Sequence, residues 1–205
     1  MSDIKTVYNN IARDFSRTRY KVWPSVGVYL DTFSTNSSIL DIGCGNGKNM
    51  LYRKDLNVTG IDISIELLKI CKDKNLNVIE SSMTEIPLKS QSYDGIIAIA
   101  SYHHLTNDDD RKKALDEMYR LLKDGGTALI TVWAMEQGPG SRNVFTKADE
   151  MVKWTDKYTG VVYERYYHIY SKGDLVKEIN RLKPEFKIIC EKYDTSNWYV
   201  EMLRI

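Results

Sequence analysis

Apolar positions along the chain follow two rhythms, one helical and one of short buried runs. Ile4, Val7, Tyr8, Ile11 and Phe15 recur at helical spacing and give a first helix one apolar face, with Ser2 placed to cap it. Trp23-Pro24 opens a second helix, with Pro24 suited to the first turn and Val26, Tyr29, Leu30 and Phe33 as its stripe. Ile39, Leu40 and Ile42 then read as a buried strand, and Val58 to Ile61, ending in Asp62, as a second. Ser64 caps a helix carrying Ile65, Leu68 and Cys71, Leu76 to Ile79 is a third strand, and Ile86-Pro87 breaks the chain. Asp94 to Ala100 is a fourth, fully buried strand. Asp108 to Lys123 is a charged amphipathic helix stopped by Gly125-Gly126, and Thr127 to Trp133 is the fifth strand. Such alternation predicts an α/β fold, a mostly parallel sheet with helices on both faces.

Regularity lapses from Ala134 to about Val161, where Gly138-Pro139-Gly140 marks a loop. Tyr163 to Tyr170 is rich in aromatics, and Asp174 to Arg181 reads as a helix. Phe186 to Cys190 and Trp198 to Leu203 read as a closing antiparallel hairpin at the sheet edge. The pattern predicts one domain over 1–205, with 1–36 as a helical cover of a ligand cleft.

Between the first two strands lies Asp41-Ile42-Gly43-Cys44-Gly45-Asn46-Gly47-Lys48. Glycines at alternate positions permit positive φ and close approach of backbone to a ligand. Lys48 to Arg53 is expected to start a helix whose free N–H groups face the turn. Asp62 stands about 20 residues after Asp41, the distance at which an acid accepts hydrogen bonds from a ribose diol. The third glycine comes one residue too early for a dinucleotide fingerprint. The pattern Asp-x-Gly-x-Gly-x-Gly instead resembles the first motif of class I (Rossmann-like) methyltransferases that use S-adenosylmethionine (SAM).

Composition narrows the setting. The 205 residues are 42% hydrophobic and 28% charged, with net charge +1, so no global field draws nucleic acid or membrane. No apolar run approaches the roughly 18 residues of a membrane span. Cys44, Cys71 and Cys190 are far apart and form no Cys-x-x-Cys pair, which supports reduced thiols and a cytoplasmic location. Cys44 reads as a small side chain beside the ligand. Asp108-Asp109-Asp110 reads as cap and dipole partners of a helix, and no metal is assigned.

A resemblance extends over nearly the whole chain. Tyr8-x-x-Ile11-Ala12-x-x-Phe15-x-x-Thr18-Arg19-Tyr20-Lys21-x-Trp23-Pro24 is similar to the opening motif of the eukaryotic tRNA methyltransferases that esterify 5-carboxymethyluridine at the wobble position. The glycine motif, Ile99-Ala100-x-x-His103-His104, Trp133-Ala134-x-Glu136-Gln137, Arg165-Tyr166-Tyr167-His168-x-Tyr170 and Asp194-x-x-Asn197-Trp198 resemble the same family. Where that family carries an acid after the third strand, this chain has Ser82, and the segment between Glu136 and Arg165 is shorter than is usual.

The resemblance implies SAM as cofactor, held by Tyr8, Asp41, Gly43, Cys44, Gly45, Asn46, Gly47, Asp62, Ile63, Ser82, Met83 and Ala98. It implies tRNA as substrate and a small zinc-binding activator protein, pairing at a sheet edge near Leu76-Ile79. A carboxylate nucleophile is ionised at neutral pH and needs no base. It needs a cation, for which Arg19 and Arg165, able to grip bidentately, are preferred to Lys21. His103 is placed to hydrogen-bond substrate or close the cofactor site. Trp23, Trp133, Tyr167 and His168 are candidates for holding a flipped nucleotide. Two rival functions are a SAM-dependent methyltransferase for a small acid or metabolite, and an inactive binding module on the same fold.

Overall fold

The computed structural model describes residues 3–138, 141 and 143–205. Seven strands form one sheet in the order β3-β2-β1-β4-β5-β9-β8. They are β1 (Ser38–Ile42), β2 (Asn57–Asp62), β3 (Val78–Glu80), β4 (Tyr93–Ile99), β5 (Leu122–Trp133), β8 (Phe186–Asp194) and β9 (Asn197–Arg204). The first five pair in parallel, while β9 runs antiparallel to both β5 and β8. The helices are α1 (Ile4–Thr18), α2 (Pro24–Leu30), α3 (Ile65–Asp73), α4 (Asp108–Leu121) and α5 (Asp174–Leu182).

Strand alternation divides the core. Leu40, Ile96, Ala98 and Ile130 point to one face, into a cluster with Leu115 and Met118 of α4 and Ile179 of α5. Their neighbours Ile39, Ile97, Ile99 and Leu129 point to the other, against Val26, Tyr29 and Leu30 of α2. Two buried faces explain why these strands read as continuous apolar runs.

Several boundaries differ from expectation. Ser2 lies outside the described residues, and the cap position of α1 is Asp3, without a side-chain hydrogen bond. Lys48 to Arg53 is a series of turns, not a helix. The segment back to β2 is short, and Arg53 Nη1 fixes it by donating to the Leu30 and Phe33 carbonyls at 3.2 and 2.8 Å. Leu76 and Asn77 precede β3, because Leu76 N–H closes the end of α3 on Cys71 O at 3.1 Å. Ala100 lies beyond β4 with φ of +52°. Helix α4 ends at Leu121 and passes directly into β5 at Leu122, ahead of the glycines. Arg204 Nη1 donates to Tyr119 O at 2.9 Å and so meets a carbonyl left free at the helix end.

The stretch from Ala134 to Val161 is not wholly irregular. It holds β6 (Asp149–Thr155), which pairs antiparallel with β7 (Val162–His168) in a separate two-stranded ribbon. Pro139 and Gly140 of the anticipated loop lie outside the described residues. The hairpin of β8 and β9 stands at the sheet edge as anticipated, with longer strands, and turns through Thr195 and Ser196 at φ of +49° and +63°.

Candidate active site

The carboxyl ends of the parallel strands open onto two adjoining cavities, where open α/β sheets bind ligands. One has a volume of about 380 Å³ and is lined by α1, the glycine loop, the end of β2 and the turn after β3. The other, about 610 Å³, lies between α1, the turn after β4, the ends of β5 and β7, and the β8–β9 turn. Tyr8, Phe15, Arg19, Trp23, Lys48 and Ala100 line both.

The glycines of the loop have different work. A Cβ on Gly43 would collide with Ser101, and one on Gly47 with Leu76 Cδ1; both glycines serve close packing. On Gly45 the nearest atom to a Cβ would be Phe15 Cε1 at 3.8 Å, so its bare face opens to the smaller cavity. Gly45 has φ of +57°. Asp62 is buried beside it, accepting from Gly45 N–H at 2.9 Å through Oδ2 and from Ser64 N–H at 2.8 Å through Oδ1. Burial pushes its carboxyl above the usual range. Cys44, Asn46, Ile63, Ser82 and Met83 complete this wall with residues of α1.

These features fit the adenosyl and methionyl parts of SAM. An open-faced glycine admits a ligand against backbone. A fixed carboxylate facing the cavity can take a diol, and apolar Ile63 and Met83 suit a flat ring.

The larger cavity has a different character. Arg19, Lys21 and Lys48 line it, and no Asp or Glu does among the described residues. Arg19 donates to Thr18 Oγ1 at 2.8 Å and lies 5.0 Å from the Phe15 ring centroid. The Lys48 ammonium sits 5.0 Å over the Trp23 ring. Burial, then the neighbouring cations, lowers the pKa of both. Trp133 and Tyr167 stack at 4.2 Å in the wall.

His103 and His104 are held neutral. His103 is fully buried and its Nδ1 accepts from Trp133 N–H at 3.1 Å. A neutral ring accepting at Nδ1 carries its proton on Nε2, and that buried atom has no partner among the described residues. Burial first, then His104 and Arg165, presses the pKa of His103 well below its ordinary 6.5. His104 Nδ1 donates to Tyr166 O at 2.7 Å, so its Nε2 accepts from the Tyr8 hydroxyl at 2.8 Å. Burial brings its pKa down to about 4.

Five anticipated residues stand outside both cavity walls. Ala98 is interior to β4, its place taken by Ile99 and Ala100. Asp41 is wholly buried behind the loop, with neither carboxylate oxygen hydrogen-bonded among the described residues. Gly47 packs on Leu76. His168 Nδ1 is tied to Asp149 Oδ1 at 2.8 Å at the far end of the ribbon. Arg165 is buried behind the wall, 5.2 Å from the Tyr167 ring and 5.0 Å from that of Trp154.

Sequence reasoning missed Trp154, whose ring also lies 5.8 Å from the Arg19 guanidinium. It missed the β8–β9 turn as wall, with Thr195, Ser196 and Asn197. Positive φ at two successive non-glycine residues leaves little trace in sequence.

Residues 40–130 match the family described as "Methyltransferase domain". The chain is 34% identical over 218 residues to the tRNA (carboxymethyluridine(34)-5-O)-methyltransferase of Schizosaccharomyces pombe, covering 96% of this chain and 94% of that protein. It is 31% identical over 251 residues to the Xenopus tropicalis protein of the same activity, alkbh8, again over 96% of this chain. The chain spans about two fifths of the frog protein, 40% of its length. Among solved structures, a SAM-dependent methyltransferase from Methanosarcina mazei superposes with a TM-score of 0.72 at 17% identity, covering 90% of this chain and 99% of that one.

Proposed function

Since the chain belongs to the family of tRNA carboxymethyluridine methyltransferases, we propose that it methyl-esterifies the carboxymethyl group of a wobble uridine in tRNA, with SAM as cofactor. The observation that carries this reading is the wall of the larger cavity. Three cations and no carboxylate line it among the described residues. Such a wall suits an anionic acceptor.

Bound SAM supplies an electrophilic methyl group. Asp62 takes its ribose hydroxyls, the open face of Gly45 receives its methionyl end, and Ser82 and Met83 flank its adenine. Arg19, lining both cavities, holds the acceptor carboxylate, and His103 Nε2–H donates to it. Their task is alignment and exclusion of water, since a carboxylate is already ionised. Arg165 contributes positive charge from behind Tyr167 without touching either ligand. Trp23, Trp133 and Tyr167 line the space for the uridine. Lys21, exposed at the rim, meets backbone phosphate.

A zinc-binding activator protein, suggested by the resemblance, would pair with β3, which among the described residues has β2 as its one neighbour in the sheet and leaves an edge free. The cytoplasm, where bulk tRNA is found and thiols stay reduced, is the proposed location.

The test is nucleoside mass spectrometry of bulk tRNA incubated with the protein and labelled SAM. The expected product is an alkali-labile methyl ester of carboxymethyluridine. Label on small acids but not on tRNA would move the assignment to metabolite methylation, and absence of saturable SAM binding to an inert module.

A further inference from the structure

We propose that a third depression, behind the glycine loop, is a subsite for the RNA strand next to the modified nucleotide. It rests on the reading above and names where the substrate chain runs. The depression is about 380 Å³ and is lined by Arg19, Lys48 and Lys74 together with Tyr20 and Tyr52. No Asp or Glu lines it among the described residues.

Three features select the occupant. The first is charge. In a chain of net charge +1, three cations gather on one wall, which fits a polyanion. Arg19 and Lys48 also line both ligand cavities, so the depression is continuous with the site. The second is aromatic surface. Tyr20 is 74% exposed and Tyr52 42%. The Tyr52 hydroxyl is anchored to Asp31 Oδ2 at 3.0 Å, on a residue outside the depression. Its ring packs beside Gly27, where a Cβ would come within 2.9 Å of the hydroxyl. A ring so fixed offers a ready stacking face. The third is a built cation. Lys74 donates to Asn46 O at 2.7 Å, which holds its ammonium at the mouth of the depression.

Cations that follow a backbone, interleaved with aromatic faces, are how proteins hold single-stranded nucleic acid. A nucleotide seated in the larger cavity places its neighbour's phosphate within reach of Lys48 and Lys74, and the neighbouring base against Tyr52.

The experiment compares wild type with Tyr52→Leu and Lys74→Gln on two substrates. One is an anticodon stem–loop carrying 5-carboxymethyluridine, the other 5-carboxymethyluridine monophosphate. Both variants should weaken stem–loop binding by about tenfold, the scale of one lost stacked base or phosphate contact. Lys74→Gln should also lower the slope of log Kd against log salt by about 0.7, one single-strand phosphate. Methylation of the mononucleotide should be unchanged. Calorimetry with SAM shows whether Lys74→Gln has disturbed the loop; if so, Tyr52→Leu, at a residue that lines neither ligand cavity, decides. Unchanged stem–loop affinity with wild-type methylation intact overturns the subsite and leaves the depression to a protein partner. A parallel loss on the mononucleotide also overturns it. If wild type neither binds nor methylates the stem–loop, the reading of the whole site falls, and this one with it.

Discussion

The backbone N–H of Trp133 donates to His103 Nδ1. That bond ties the end of β5 to the turn after β4 and fixes which ring nitrogen keeps the proton. His103 therefore keeps its proton on Nε2, buried within the wall of the larger cavity, and its Nδ1 has no free lone pair with which to take another. The histidine that the sequence places to hydrogen-bond substrate or close the cofactor site is neutral in the fold, with its Nδ1 already occupied as an acceptor.

Methyl transfer measured with SAM saturating should accordingly be flat from roughly pH 6 to 8, because the acceptor carboxylate is ionised, His103 and His104 stay neutral, and Asp41 lies behind both cavity walls. Burial holds His103 well below its ordinary 6.5 and brings His104 down to about 4. Single-turnover rates across pH check this. A tenfold rise per pH unit would point to a nucleophile that must first lose a proton. His103→Ala should lower the rate roughly ten- to hundredfold, one hydrogen bond to a charged group, without tilting the profile.

Arg19→Lys should reduce kcat/KM for tRNA by about tenfold or more even though charge is kept, since an ammonium cannot grip a carboxylate bidentately. Steady-state kinetics on modified tRNA read the effect. A near-normal value would place the carboxylate elsewhere.

Asp62→Ala should weaken SAM binding by about tenfold or more, and it should also destabilise the fold. Asp62 accepts from Gly45 and Ser64 N–H groups, and removing it leaves two backbone donors without their partner. Calorimetry and thermal melts on one preparation separate the losses. Unchanged affinity would remove Asp62 from the site.

Gly45→Ala and Gly47→Ala should fail in different ways. At both the φ is positive, a strain of about 1 kcal/mol for alanine. The Gly47 variant also meets Leu76 and should melt much earlier. The Gly45 variant has room for its methyl group and should stay folded while losing SAM affinity. Melts and titrations that gave the two the same pattern would contradict the division of labour in the loop.

Asp41 should make stability depend on pH. Burial, then the charge of Asp62, raises its pKa from 3.8 to about 7. A raised carboxyl pKa favours the folded state fully below 3.8, and that advantage is lost as pH climbs through 7. Replacement by Asn removes the term, so the stability of Asp41→Asn relative to wild type should rise by a few kcal/mol between pH 4 and 7. His103 and His104, which act in the opposite direction, are common to both proteins and cancel. A flat difference in denaturant midpoints would mean that Asp41 is charged in the fold.

What was legible in sequence was what local chemistry dictates. Pro24 at a helix start, Ser64 accepting from Leu67 N–H, and Asp62 closing β2 beside the glycines all stand as read. So does the free edge at β3, shifted by about two residues. Strand β6 was missed because its residues are only partly buried or exposed, so no strict alternation marks them; it is held by pairing with β7. Arg165 was read as a ligand-facing cation because its motif gives type and order but not depth. The end of α4 was misplaced because its cap comes from Arg204, distant in sequence.

The tip of the β8–β9 hairpin, at Thr195 to Asn197, is wall to the larger cavity and not to the smaller one. The cofactor cavity draws its wall from residues 3–105. During synthesis from the N-terminus, a nascent chain therefore holds every residue of the cofactor wall long before the substrate wall can close. Closing it requires β9 to add beside β5, a pairing between distant segments of the kind that forms slowly. Translation thus separates the two halves of the site in time, and a chain stalled before residue 195 would have all the residues for grasping a methyl donor but an unfinished place for its acceptor.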